Sequence, residues 1–420
     1  HFTLVGPVYI QTSVTQLPDS VIGVENGGSV SLSEDGTVMA ISNTFDKARG
    51  AAESGAVYIF EKTAGYTWTP KQKIIPNTPG ALFGTEVALS SDASILMVGA
   101  RLDDTASTNS GAIYFYDRIS EDFQYQLSVT PKAPSAEDAF GRAIALNKTG
   151  DLMLIGAHGD SDDTDPATYP GLGSVYCYVR NGAVWTQVQK IFPSQKIALG
   201  AFGRSVAMSQ DGLTAIIGYP WDNNGGPWAA GAFYYYKNVN GSWIETAKVY
   251  APDGAASDNF GTSVALDAQG TYAAIGSVAS SGGVANSGNL YIYTRSGDTW
   301  TYQQKIVSPE PEVSAAFGYA VSLNRDASTM VVGSFNKDVP NGSDAGAVYY
   351  YTRVGSVWTY HTRITSPRVA PGAAFGLGLA MTQDGNTLYV GAFRDLNKGA
   401  TFVFKRDGYT WTYERELLEP

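Results

Sequence analysis

Residues 83–130 read FGTEVALSSDASILMVGARLDDTASTNSGAIYFYDRISEDFQYQLSVT. The stretch opens on Phe83-Gly84 and passes through a short small-residue segment, Val87-Ala88-Leu89, to a near-continuous apolar run, Ile95 to Gly99. After a loop it reaches Gly111 and the aromatic segment Ile113-Tyr114-Phe115-Tyr116. It closes on Phe123 set among polar residues. An unbroken apolar run of this length is the mark of a strand covered on both faces, and apolar–polar alternation is the mark of an outer strand. Four strands therefore follow one another inside one unit.

The unit recurs. Phe-Gly stands at Phe83, Phe140, Phe202, Phe260, Phe317 and Phe375, with Asn26-Gly27 in its place in the first unit. The intervals are 57, 57, 62, 58, 57 and 58 residues, which is the regularity of a repeat architecture. A glycine leads each third strand: Gly55, Gly111, Gly173, Gly231, Gly288, Gly346 and Gly399. An aromatic opens each fourth: Trp68, Trp185, Trp243, Trp300, Trp358 and Trp411, with Phe123 in the second unit. Asp35-Gly36, Asp211-Gly212 and Asp384-Gly385 fall between first and second strands, where a hairpin turn needs a residue that accepts positive φ.

Seven such units predict an all-β chain folded as a seven-bladed β-propeller of four-stranded antiparallel blades. One blade cannot bury both of its faces, and a closed ring of blades does so. The propeller is expected to span residues 21–420, with blades starting near 26, 83, 140, 202, 260, 317 and 375. The repeated Phe reads as a wedge between blades and the glycine after it as a close backbone approach. Ahead of the ring, residues 1–20 place Phe2, Leu4, Val8, Ile10 and Val14 at even positions, the period of an extended strand. Such a strand either caps the seam of the ring or pairs with a neighbouring subunit.

Composition agrees. Gly 47, Tyr 26 and only 16% charged residues suit a β protein with many turns. A net charge of -11 argues against nucleic acid or an anionic membrane surface as partner. No apolar run reaches the ~18 residues of a membrane-inserted helix. Cys177, the single cysteine, excludes an intrachain disulfide and reads as a buried, inert thiol. A first residue of His rather than Met leads us to expect a removed leader or an excised fragment.

The Phe-Gly pairs, Val98-Gly99-Ala100, and the Gly-Ala-Val-Tyr runs at Gly55–Tyr58 and Gly346–Tyr349 resemble the FG-GAP, or integrin-α-like, propeller repeat. The likeness is to its bacterial and algal style, with Trp-Thr-x-x-Gln-Lys-Ile at Trp68–Ile74 and Trp300–Ile306. The resemblance implies a secreted or surface-exposed module for adhesion, recognition or assembly, usually without catalysis. Integrin-like repeats often carry a calcium loop between the first two strands. Here those turns are too short and too poor in acids for six to eight oxygen ligands, so those sites are not carried over.

Candidate chemistry lies in the loops after the second strands. Asp46, Asp103, Asp160, Asp222 and Asp395 share one repeat position, which Ser280 and Lys337 break. They read either as turn-closing side chains or as an acidic ring for cations or a basic partner. Asp160, Asp162, Asp163 and Asp165 could gather a Ca²⁺ on the longest loop, 158–173, or could be a solvated acidic face. Trp221 and Trp228 are the two tryptophans outside the repeat position. With Asp222 they suit a sugar ring or a protein partner, or they form a small loop core. The histidines His1, His158 and His361 fall in unrelated positions, and no nucleophile or phosphate-loop motif is present. Three functions are open on these residues: a non-catalytic recognition or structural subunit of a surface assembly, a lectin-like carbohydrate-binding propeller, and a hydrolase or lyase using carboxylates in the central channel. Protein partners or like subunits are expected for the first and glycans for the second.

Overall fold

The computed structural model describes residues 2–5, 8–11, 26–46, 54–63, 67–76, 80–132, 134–223, 228–395 and 399–417. Seven four-stranded antiparallel sheets follow in chain order and form the seven-bladed propeller that the repeat predicts. Blade 2 shows the pattern: strand A is Phe83–Leu89, B is Ile95–Ala100, C is Ala112–Ile119 and D is Asp122–Val129. The A–B turns use the predicted glycines at positive φ, 65° at Gly36 and 70° at Gly212 and Gly385. Strand B is buried throughout, whereas strand D alternates and carries a β-bulge in every blade. A bulge twists an outer edge away from further pairing.

The core is a set of interfaces between blades rather than one centre. Phe83, Phe140, Phe202, Phe260, Phe317 and Phe375 are all fully buried. Each wedges under aromatic rings of its own blade's strand C, as Phe202 does against Tyr234 with centroids 5.5 Å apart. The repeat tryptophans pack backwards onto the preceding blade: Trp185 lies 5.0 Å from Phe115, Trp411 5.4 Å from Tyr350 and Trp68 5.8 Å from Tyr389. That last contact joins blade 1 to blade 7 and closes the ring. Cys177 lies in this core, its thiol pushed up to about 11 by burial, with the Trp243 indole N–H donating to Sγ at 3.3 Å.

Backbone meets backbone at the seams. Gly173 bridges to Phe202 of the next blade, and the same bridge recurs at Gly55, Gly111, Gly231 and Gly346. A Cβ on Gly173 would stand 2.1 Å from the Phe202 carbonyl oxygen. On strand B, a Cβ at Gly156 would stand 1.9 Å from the Gly203 carbonyl oxygen, and Gly99, Gly218, Gly276 and Gly333 meet their neighbours in the same way. Space alone selects glycine on strand B, whereas Gly55, Gly111, Gly173, Gly231 and Gly346 also stand at φ of 80–88°. The residue before each Phe-Gly also has positive φ, from 49° to 59°, yet is Leu82, Ala139, Ala201, Asn259, Ala316 or Ala374.

Blade 7 completes its own sheet with Phe375–Met381, Thr387–Ala392, Ala400–Asp407 and Thr410–Leu417. Asn26 holds the backbone place of the missing Phe, pairing with Asn43 as Phe83 pairs with Ala100. Phe2–Val5 and Val8–Gln11 pair with each other as a separate two-stranded ladder. Residues 12–20, the remainder of the expected N-terminal strand, lie outside the described residues. Among the described residues no helix is long and apolar enough to cross a membrane.

Gly156→Ala is expected to lower the unfolding free energy by more than about 3 kcal/mol, because backbone must part from backbone. Gly182→Ala, at φ 62° with nothing within 4 Å of the new carbon, is expected to lose only about 1–2 kcal/mol. Equal losses in chemical denaturation would show that the blades do not meet at Gly156.

Candidate functional site

The repeated loop aspartates face inward. Asp46, Asp103, Asp160, Asp222 and Asp395 are all buried. In the first four, the backbone carbonyl accepts the N–H of the glycine that leads strand C, at 2.7–3.0 Å, which closes the loop. The carboxylates bind Lys73 at 3.0 Å from Asp46, Lys190 at 2.9 Å from Asp160 and Lys248 at 2.5 Å from Asp222. Asp103 takes the Tyr114 hydroxyl at 2.6 Å, and Asp395 takes Arg368 at 2.5 Å. Where Lys337 replaces the aspartate, it pairs with Glu312, so the charges are exchanged and the clasp is kept. The position is a loop-closing clasp rather than an exposed acidic ring.

The Trp-Thr-x-x-Gln-Lys-Ile motif can now be read residue by residue. Its Trp packs on the preceding blade. Its Gln72, Gln189 and Gln304 each make two hydrogen bonds to the backbone of the next blade's aromatic, Phe123, Trp243 and Trp358. Its Lys73 and Lys190 neutralise the loop aspartates.

The acidic loop does not gather an ion cage. Asp160 takes Lys190, Tyr176 and Ser174, and Asp162 takes Lys196 and Thr164. Asp163 takes Lys190 at 2.6 Å, and Asp165 accepts the Thr168 N–H. Lysines already occupy the carboxylate oxygens that a calcium ion needs, so the residues present do not fit one. Among the described residues no three acids, histidines or cysteines converge on a metal position.

In blade 4 the three residues of the tryptophan loop separate. Asp222 is 1% exposed and committed to Lys248, whereas Trp228 is 68% and Trp221 36% exposed. The loop backbone is tied down at both indoles: the Trp221 N–H donates to Gly200 and the Trp228 carbonyl accepts from Ser257. Both indoles are thus exposed at positions whose backbone is hydrogen-bonded, and residues 224–227 between them lie outside the described residues.

Sequence reasoning offered the central channel as a place for carboxylates but assigned no residue to its lining. A cavity of about 900 Å³ opens there. The residue after each Phe-Gly lines it: Thr85, Arg142, Arg204, Thr262, Tyr319 and Leu377. A second tier comes from just beyond strand B, including Arg101, His158, Phe335 and Phe393. Blades 2 to 4 therefore supply a cationic wall of Arg101, Arg142 and Arg204 around His158, and blade 7 adds Arg394 to the lining. Blades 6, 7 and 1 supply an aromatic wall, with Tyr319 4.6 Å from Phe335 and Phe45 5.7 Å from Phe393. Burial and the neighbouring Arg142 and Arg101 push the Arg204 guanidinium down to about 10. Burial and the same arginines push His158 down to about 3, so its imidazole is neutral and the positive charge is guanidinium alone. Glu86 and Asp344 are the carboxylates on this lining. Desolvation pushes Glu86 up to about 7, against the opposing pull of Arg142 and the Ser29 hydroxyl 3.0 Å away.

The opposite end of the axis is crossed by charge. Glu34 of blade 1 reaches Lys148 of blade 3 at 2.8 Å and Arg325 of blade 6 at 2.7 Å. Around it the A–B turns join blade to blade through Glu34 N–H to Ser91, Lys148 to Gln210, Gln210 to Ala268, Ala268 to Arg325 and Arg325 to Gln383. The channel is a cup, with a basic mouth and a braced base.

With this geometry in hand, comparison with known proteins identifies the repeat. The chain carries FG-GAP repeats in four places, residues 68–116, 185–236, 243–293 and 300–351. No curated protein matches it. Among solved structures it is similar to a periplasmic gluconolactonase, PpgL, of Pseudomonas aeruginosa. That match has 15% identity and a TM-score of 0.58 over 87% of this chain and 92% of that one. It is also similar to a protein from Lactobacillus plantarum, at 14% identity and a TM-score of 0.54 over 82% of this chain and 86% of that one. At these identities the likeness is one of fold.

Two outcomes test the site geometry. Lys248→Met leaves the Asp222 carboxylate buried without its cation and is expected to cost about 3–5 kcal/mol in denaturation, part of it recovered by adding Asp222→Asn. For His158, the folded state disfavours the imidazolium. Its contribution to stability is full above the ordinary 6.5 and is lost as pH falls towards about 3. NMR titration is expected to show a neutral His158 ring from pH 5 to 8; a midpoint near 6.5 would contradict the cationic wall.

Proposed function

We propose that this chain is a non-catalytic recognition module of an extracellular surface assembly, meeting a protein partner or a like subunit through its loop face. The observation that carries this reading is the pair of indoles on blade 4. The fold uses the six repeat tryptophans between blades and leaves Trp221 and Trp228 exposed, each with its own backbone hydrogen-bonded to a neighbouring loop. Large, rigid aromatics that pay no ordering cost are what a protein interface is anchored on. The paired state of Asp222 favours a protein over a sugar, since a carboxylate committed to Lys248 is not offered to hydroxyl groups. The FG-GAP repeats support an adhesive or assembly role by likeness alone.

The ladder Phe2–Val5 with Val8–Gln11 supports the assembly version. Blade 7 needs no strand from it, and a two-stranded ladder gains stability by adding strands from elsewhere. The gluconolactonase likeness makes lactone hydrolysis the activity to assay as a contrast, and no turnover of gluconolactone is expected.

Electron microscopy of the natively isolated protein is expected to show discs joined into filaments or lattices. Removing residues 1–20 should release single discs, and Trp221→Ala with Trp228→Ala should weaken the joining without changing the disc. Single discs from the unaltered chain would overturn the assembly reading. A glycan array bound by the unaltered chain, and lost in the double tryptophan variant, would install the lectin-like reading in its place.

A further inference from the structure

The axial cup is unlike the rest of the molecule. The chain carries a net charge of -11, and its loop charges are committed to clasps. At the cup, three successive blades turn Arg101, Arg142 and Arg204 toward one space, close enough for each to act electrostatically on His158. Among the described residues, neither Arg142 nor Arg204 has a carboxylate within ion-pairing distance. Glu86, an acid of the same lining, has its charged form disfavoured by burial, with Arg142 and Ser29 opposing. Guanidinium groups crowded in this way repel one another, and a bound anion converts that repulsion into attraction.

The facing wall adds a second requirement. Tyr319, Phe335, Phe45 and Phe393 form two edge-to-face pairs on blades 6, 7 and 1. Tyr319 and Arg204 line the same cavity, so the two walls face one space. The volume of about 900 Å³ is that of a small-molecule site. At the far end the charged crossing borders a smaller cavity of about 210 Å³, and the cup itself is lined by residues just beyond strand B.

We propose that the axial cup binds a carboxylate-bearing ring compound, its carboxylate on Arg142 and Arg204 and its ring against the aromatic wall of Tyr319 and Phe335. Planar guanidinium forks match a carboxylate with two parallel hydrogen bonds, and an aromatic face receives the apolar side of a ring. Acidic saccharides built from uronate units and aromatic carboxylates share this chemistry. The site is separate from the Trp221 and Trp228 loop, so it stands or falls independently of the proposed partner surface.

Isothermal titration of the full chain is the test, with four probes: a uronate trisaccharide, its neutral trisaccharide counterpart, benzoate and inorganic sulfate. The uronate or benzoate is expected to bind, and which of the two binds names the source. The neutral sugar and sulfate are expected to bind at least about tenfold more weakly. Arg142→Gln with Arg204→Gln should reduce the affinity by at least about tenfold with the melting profile of the ring retained. Tyr319→Ala should weaken the ring compound and leave sulfate unchanged, and Trp228→Ala should change neither. No binding of either carboxylate, equal binding of the neutral sugar, or sulfate binding as tight as the ring compounds would overturn the proposal. So would binding that survives the double arginine substitution.

Discussion

The approach of glycine to glycine across the seams is the constraint on which the ring depends. Seven sheets can stand around one axis only if their inner strands come closer than side chains allow. Gly156 against Gly203 and Gly173 against Phe202 provide that proximity. Everything larger is arranged around it. The Phe that follows the bridge fills the space the glycines open, and the tryptophan of the outer strand fills the wider gap toward the rim. The wedge shape of a blade is therefore written as a gradient, with glycine where inner strands touch across the seam, phenyl in the middle and indole outside.

Because this gradient repeats in every unit, the fold was legible before any coordinates. The spacing of Phe-Gly, the apolar second strand and the aromatic third strand each follow from one physical demand. The motif Trp-Thr-x-x-Gln-Lys-Ile was legible only as a marker. That its Gln grips the next backbone and its Lys answers a loop aspartate needed the packing of adjacent blades, which lie some sixty residues apart in sequence. The aspartates misled for the same reason. Five acids in phase look like a ring of exposed charge until the tyrosine and lysine that face them are found on strands C and D. The cup was invisible because its residues share a position and not a type. Thr85, Arg142, Arg204 and Tyr319 align, but nothing periodic in their chemistry draws attention to them. The signal was present all the same, since the residue after each Phe-Gly has to face the axis.

Charge shows how a whole-chain property can mislead about a site. An acidic chain argues against a broad anionic surface as partner, and that argument concerns the outer field. Inside a concave, poorly solvated space a few guanidinium groups dominate, and the scattered acids of the exterior are screened from it. The outer loops and the axis can therefore select partners of opposite sign. The His158 ring belongs to this local environment: burial first, and the arginines with it, disfavour its charged form.

The ionic crossing at the base joins residues from the beginning and the near end of the chain, Glu34 and Arg325. No such contact can form until six blades exist. Each blade, by contrast, builds its four-stranded sheet from consecutive strands of its own, so those strands can zip as they emerge during synthesis. The molecule is then built as a growing open arc whose two ends meet once, between blades 7 and 1. Among the described residues no strand is shared across that last junction, and side chains such as Trp68 and Tyr389 pack over it. Under mechanical or thermal load the arc is set to reopen at the place where it was last joined.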